Sequence, residues 1–281
     1  MSHVQPSALE MASNPLVSIK PIDRALASHR IVQTGLLLTL VWKWTFFVAS
    51  NQVYHNIPLR DSFFPVWLQS AWTAQLIYLA AVTAVGVSLV TKRNGVRRVC
   101  AAAALMCTTI LCIHQASYND MTFVTAWWTC LWTLWFVFHI DDVDQSRVLR
   151  RASFLSRSII SVILLGGASG KWTAEYWSGE VFYDIYFVDR DYWVFNLLRE
   201  NFETEQLRSI SMWYSRKVVL VETIAGLGLW ALPPRIAAAT AIVLLASIAL
   251  LSNFLLFSVL FALIGLAAVG LFVPRSTEGA V

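Results

Sequence analysis

Residues 236–273 read IAAATAIVLLASIALLSNFLLFSVLFALIGLAAVGLFV, 38 positions without one charged side chain. About 20 apolar residues are enough for a helix to cross the hydrocarbon core of a bilayer. A run almost twice as long, interrupted only at Ser252-Asn253, predicts two consecutive membrane spans.

Working outward from this run, six further apolar segments recur upstream, at about 31–49, 72–91, 99–113, 122–138, 154–170 and 214–232. The whole chain of 281 residues is 57% hydrophobic and 14% charged, with a mean hydropathy of +0.60. Soluble domains carry about 25% charged residues. Twenty-one basic and 17 acidic side chains are too few to clothe a soluble protein of this size. A secreted disulfide module, a cytosolic enzyme and a disordered tail are excluded. The expected architecture is an all-α polytopic membrane protein of about eight transmembrane helices. A single domain over 25–273 is expected between a polar tail at 1–24 and a C-terminal tail at 274–281. At roughly 30 residues per span and loop, no room remains for a separate soluble domain. Residues 1–24 lack the apolar core of a signal peptide.

Charge gives the expected orientation. Lys92, Arg93, Arg97 and Arg98 follow the second segment, Arg147, Arg150 and Arg151 follow the fourth, and Lys20, Arg24 and Arg30 precede the first. The loop after the first segment has only Arg60, and 116–121 has no basic residue. The positive-inside rule therefore predicts both termini on the cytoplasmic side of a multi-pass cell-membrane protein. The net charge of +4 sits in short loops between apolar runs, so the expected partner is the lipid bilayer and not a nucleic acid. Cys100, Cys107, Cys112 and Cys130 all fall within apolar segments, without disulfide or metal-ligand spacing, and read as small apolar fillers. No metal site is expected.

One stretch breaks the alternation. Residues 171–212 hold Glu175, Glu180, Asp184, Asp189, Asp191, Glu200, Glu203 and Glu205 among many aromatics. Acids mixed with Trp and Tyr suit the headgroup level, and so long a connection is usually functional. An extracytoplasmic cap of interfacial helices is expected between spans five and six.

Several polar residues lie where polarity is costly. Lys43, in LVWKWTFF, either snorkels to the outer face or pairs within the membrane. Glu222 sits about eight residues into the sixth segment, too deep for a short carboxylate to snorkel easily, with Arg216 and Lys217 as possible partners near the interface. Lys171 follows GGASG, whose glycines at 166, 167 and 170 suggest close approach of a neighbouring helix. Glu175 comes four residues later, on the same face if the helix continues. Lys171 is thus either an interfacial lysine paired with Glu175 or a partly buried amine able to act as a base. In CIHQASYNDMTF, His114, Asn119 and Asp120 read as a turn, with His114 alternatively a proton carrier. No Walker loop, GxSxG, HExxH or CxxC is present, so nucleotide hydrolysis, serine hydrolysis and zinc catalysis lack support.

The segment from Arg157 through SIISVILLGGASG to Lys171 and WTAEYWSG resembles the signature of the vitamin K-dependent gamma-carboxylase and its bacterial relatives, the HTTM membrane domain family. Arg30, Tyr118-Asn119, the run from Glu222 to Gly226, and Asn253 resemble further positions of that family. The resemblance implies a bacterial inner-membrane domain with a quinol-type pocket, in which Lys171 is the base that deprotonates the quinol. Glu175, Glu222, Asn119, Asp120 and His114 are the other site residues it suggests. Asp120 and Leu250 stand where the carboxylase has histidines. The sequence also ends where the carboxylase continues into a large extracytoplasmic domain, so carboxylation of protein glutamate is not expected. Two classes of function remain open. One is an enzyme acting on a quinol-like or lipid-soluble substrate beneath the cap, with the tryptophans of the fourth segment as an apolar wall. The other is a non-catalytic membrane protein that binds or moves a lipid or solute, or serves as a subunit of a complex, with Lys43 and Glu222 as a structural pair or a path.

Overall fold

Each apolar segment overlaps a helix among the described residues, and the helices begin as many as ten residues before the segments. The computed structural model describes residues 21–45, 47, 63–118, 120–188, 190–252 and 257–274. Asn119, Asp189, Asn253, most of the N-terminal tail and residues 275–281 lie outside the described residues. Among the described residues there is no strand. The long helices are α1 (Pro21–Trp42), α2 (Ala71–Val90), α3 (Asn94–Ile113), α4 (Met121–His139) and α5 (Gln145–Ser169). Four short elements follow: α6 (Ala174–Ser178), α7 (Glu180–Tyr183), a π-helical turn at Asp184–Val188, and α8 (Trp193–Asn201). The chain then forms α9 (Thr204–Ala231), α10 (Pro234–Ser252) and α11 (Phe257–Ala268).

Four helices, α2 to α5, are long and apolar enough to cross a membrane. In α10 and α11 the apolar stretches are shorter, Pro234–Leu250 and Ser258–Phe272. The side chains are sorted as a bilayer requires. Leu76, Met106, Val162, Ile224, Val243 and Leu250 point outward with more than half of their surface exposed. Gln33, Thr39, Thr108, Thr125, Thr129, Thr133 and Ser161 are buried. Several of the polar groups placed inside find partners there: Gln33 Nε2 donates to Thr133 Oγ1 at 2.9 Å, Tyr78 Oη to the Leu40 carbonyl at 2.6 Å, and Thr122 and Ser258 hydroxyls meet at 2.8 Å. Interhelical bonds of this kind bind helices where the surrounding solvent is as apolar as leucine.

Two apolar cores share α1 and α4. Leu36, Leu40, Tyr78, Leu111, Phe123 and Cys130 fill the space among α1 to α4. Trp132, Phe136, Leu149, Ile160, Leu229, Leu245 and Leu263 join α4 and α5 to α9, α10 and α11. Small residues bring α1 and α11 together: a side chain on Gly35 would meet the Phe261 carbonyl, and one on Gly265 would lie 3.1 Å from the Ile31 carbonyl. Helices α5 and α9 pack antiparallel in strict register. Arg157 reaches the Leu232 carbonyl at the end of α9, Ser158 accepts from the Trp230 indole, and Ser161 donates to the Gly226 carbonyl. Each step along α5 is matched by a step back along α9, which brings Gly167 level with Glu222.

The elements of 174–201 rest on the first turns of α9. Phe182, Phe187, Phe195 and Leu207 form a third apolar cluster, ringed by Tyr183, Tyr186, Tyr192 and Tyr214. Gly179 adopts φ of +87°, and a Cβ there would collide with the α9 backbone at Met212. Glycine is thus required twice at one position, for its left-handed backbone and for contact. Helix α9 itself starts ten residues before the expected sixth segment, opened by a capping box between Glu203 and Gln206.

Candidate functional site

Lys171 and Glu222, 51 residues apart, meet as an ion pair. Nζ of Lys171 donates to Oε1 at 2.5 Å and to Oε2 at 2.7 Å, with the lysine side chain 28% and the glutamate 11% exposed. Local backbone structure places each partner. Helix α5 ends at Ser169, Gly170 takes the C-cap, and Lys171 turns off the helix end. Gly167 faces the carboxylate, and a Cβ there would stand in ordinary contact with it, 3.7 Å from Oε2. The glycines at 166 and 170 do not seat a neighbouring helix as the sequence suggested; the close crossing of α5 and α9 is at Gly226, where a Cβ would lie 2.8 Å from Leu165.

The partners expected from local spacing are different. Because the helix stops before Lys171, the four-residue spacing to Glu175 carries no helical geometry. Glu175 is exposed on α6, and its carboxylate makes no ion pair or hydrogen bond among the described residues. Arg216 does not reach Glu222: its Nε donates to the Trp177 carbonyl at 3.1 Å and its guanidinium lies over the Trp177 ring. Lys217 shares a groove with Glu222, while the hydrogen bonds to the carboxylate come from Lys171.

Phenols of the short-helix segment approach the pair. The Tyr176 ring centroid is 6.0 Å from Nζ of Lys171. Burial, with the Tyr186 phenol and the Glu222 carboxylate adding to it, pushes the Tyr176 hydroxyl above its ordinary range. Burial likewise raises Tyr186, with Arg190 opposing and Glu222 reinforcing. Both phenols therefore remain protonated donors at neutral pH. Sequence reading missed these tyrosines because they are ordinary members of an aromatic-rich stretch. Only the fold singles them out.

On the opposite side, Glu222 opens onto a groove of about 200 Å³ between α9 and α10. Val218, Val221, Leu244 and Ile248 make its walls apolar, and Tyr214, Lys217 and Ser247 add polar groups. The tryptophans of α4 do not belong here. Trp128, Trp132 and Trp135 line a separate groove against Leu155, Ile159 and Val162, about 13 Å or more along α5 from Lys171.

Asp120 belongs to a second centre. One carboxylate oxygen caps α4 by accepting from the Thr122 N–H at 2.8 Å, and the other lies 2.6 Å from Nζ of Lys43. Lys43 therefore pairs with Asp120 in the turn before α4, and not with Glu222. His114 is buried in the same turn and fully engaged. Its Nε2–H donates to the Ser70 carbonyl at 3.0 Å, and Nδ1 accepts from the Ala116 N–H at 3.1 Å. Burial lowers its pKa from 6.5, with the Ser70 bond opposing, so the imidazole is neutral with both nitrogens occupied. A ring held in this way joins α2 to α3.

The cysteines at 100, 107, 112 and 130 are free thiols, and no group of three His, Cys, Asp or Glu side chains suited to a metal occurs among the described residues. Comparison with models of protein families, with curated proteins and with solved structures finds no match.

Proposed function

We propose that this chain is an eight-span membrane protein whose 171–212 segment caps the extracytoplasmic side, with both termini in the cytoplasm. In this reading the Lys171–Glu222 pair handles the proton of a lipid-soluble, weakly acidic hydroxyl compound, quinol-like in chemistry. One observation carries the proposal: a mutually bonded amine and carboxylate, lying beneath protonated phenols, with the carboxylate open to an apolar groove. A ligand in the groove reaches Glu222 from the bilayer without crossing water. Its hydroxyl displaces the carboxylate from Nζ, the proton passes to the Glu222 carboxylate, and the Lys171 ammonium stabilises the oxyanion left behind. The likeness of residues 157–179 to the carboxylase signature supports a quinol as the substrate class. Asp120 and His114, bound up in capping and packing, take no part. Glu175 is left outside the site.

The alternative is a carrier or binding protein in which the pair is structural, and the completeness of the pairing favours it. Anaerobic titration of 2-methyl-1,4-naphthohydroquinone into the purified chain in nanodiscs separates the two. Tryptophan quenching reports binding, and ultraviolet absorbance reports ionisation. The proposal expects the bound quinol to ionise at lower pH than the free compound, and Lys171→Gln to abolish that shift while binding persists. Binding without a shift establishes the carrier reading. Absence of binding overturns the quinol assignment.

A further inference from the structure

At the end of the bundle remote from Lys171, a cavity of about 540 Å³ opens between the start of α1, the α2–α3 turn and the α4–α5 turn. Arg30, Lys92 and Arg97 face it. Arg30 and Lys92 make no ion pair or hydrogen bond among the described residues. Arg97 is 5% exposed and donates to the Thr91 carbonyl from Nε and Nη2 and to Asn94 Oδ1 from Nη1. A guanidinium has five N–H donors, so two remain. Of the two carboxylates on the rim, Asp141 is taken up by Asn94 Nδ2 at 2.5 Å and Arg98 Nη2 at 3.1 Å. Three cations thus face two carboxylates, of which Asp141 is already shared with Arg98.

Two further features point to what completes the cavity. Helix α3 begins here at Asn94 with no side-chain cap from Arg93 and no acid in its first turn, so the positive end of a 20-residue helix opens on the cations. Gln145, buried on the cavity wall, has an unpartnered Oε1. Its orientation is fixed by chemistry, because Nε2 donates to the carbonyls of Ile140 and Asp142. The vacant atom is therefore an acceptor and calls for a donor. Cations and a helix N-terminus want an anion, whereas Gln145 wants a hydroxyl. We infer that this cavity binds a glycerophosphate group, its phosphate on Arg30, Lys92 and Arg97 and a hydroxyl on Gln145 Oε1. Val143, fully exposed on the rim beside Leu26 and Ile140, provides apolar surface for the acyl chains of a phospholipid headgroup.

Native mass spectrometry of the full chain in detergent tests this with three dioleoyl lipids, phosphatidylglycerol, phosphatidylethanol and phosphatidylcholine, and with soluble glycerol 3-phosphate. Phosphatidylethanol carries the same charge as phosphatidylglycerol but no free hydroxyl. Phosphatidylglycerol is expected to bind tightest, and the doubly substituted Arg30→Gln/Lys92→Gln chain to bind it about tenfold or more weakly. Arg150→Gln, on exposed α5 surface away from the cavity, is expected to bind like wild type. Both substituted arginine and lysine side chains lack structural partners, and an unchanged melting midpoint confirms the fold. Displacement of the lipid by glycerol 3-phosphate supports the site with a soluble ester as its source. Equal binding of phosphatidylglycerol and phosphatidylethanol overturns the hydroxyl contact. Equal binding by the double variant, or equal binding of phosphatidylcholine, overturns the site.

Discussion

Replacing Lys171 and Glu222 singly and together with apolar residues of similar size distinguishes a coupled, partly buried ion pair from two separately tolerated charges. Lys171→Met strands a carboxylate that is 11% exposed and level with Gly167 inside the α5–α9 contact. Breaking a buried pair from one side costs about 3 kcal/mol or more. Glu222→Leu strands an ammonium that is 28% exposed and has the Tyr176 ring 6.0 Å away. That charge is better placed to find water, so the cost falls to about 1–2 kcal/mol. The double variant removes both charges and leaves an apolar contact, and it should lie within about 1 kcal/mol of wild type. The non-additivity is thus about 3–5 kcal/mol, well above what separate sites show. Unfolding in mixed micelles by increasing SDS fraction, followed by far-ultraviolet circular dichroism, measures all four proteins on one scale. The reasoning is refuted if the two single losses add in the double variant, or if Glu222→Leu costs more than Lys171→Met. The double variant should also keep its fold while losing any ionisation of bound quinol, which separates the chemical role from the structural one.

Three other sites give sharper local predictions. Asp120→Asn keeps the α4 cap but loses the Lys43 ion pair, so it should cost about 1 kcal/mol, and Asp120→Ala should cost about 1 kcal/mol more by losing the cap as well; equal losses in SDS unfolding would show that the cap contributes nothing. His114 has a folded pKa below the 6.5 of the free group, so the unfolded chain binds more protons as the medium acidifies. Its contribution is complete above pH 6.5 and is lost as pH falls toward the lowered folded value; His114→Gln should flatten the fall in melting midpoint across that window. Gly35→Ala drives a methyl into the Phe261 carbonyl and should destabilise by about 1–3 kcal/mol, whereas Gly86→Ala in α2, with no atom within 4 Å, should be neutral or stabilising by about 0.5 kcal/mol.

The helices were legible in the sequence because bilayer-compatible apolarity is a local property, and each apolar segment overlaps a helix among the described residues. Their ends were not, because hydropathy measures fitness for lipid rather than continuity of the backbone. Helix α1 starts at Pro21, α5 at Gln145 and α9 at Thr204, each running through charged turns that a hydropathy reading assigns to loops. The identity of the costly charges was equally legible: Lys43, Lys171 and Glu222 stood out as polar groups in or beside apolar runs. Their pairing was not. Local spacing offered Glu175 to Lys171 and Arg216 or Lys217 to Glu222, but Gly170 ends the helix that the first spacing presumes, and Arg216 is spent on Trp177.

The glycine-rich run before Lys171 shows why such pairing escapes a reading of one segment at a time. Small residues in a membrane helix suggest backbone-to-backbone contact. At Gly35 and Gly265 that is their use, and at Gly226 the facing Leu165 fills the gap. At Gly167 the neighbour is not backbone but a carboxylate arriving from α9 in antiparallel register, 3.7 Å from where a Cβ would stand. On α9 the register is set about one and about three turns away, by Ser161 on the Gly226 carbonyl and Arg157 on the Leu232 carbonyl. A one-residue slip of α9 would rotate Glu222 by about 100° and shift it by about 1.5 Å, out of the bidentate geometry. The Lys171–Glu222 pair is therefore a consequence of the whole α5–α9 interface. Substitutions at Arg157 or Ser161, which touch neither charge, should weaken it as surely as changing Lys171 itself.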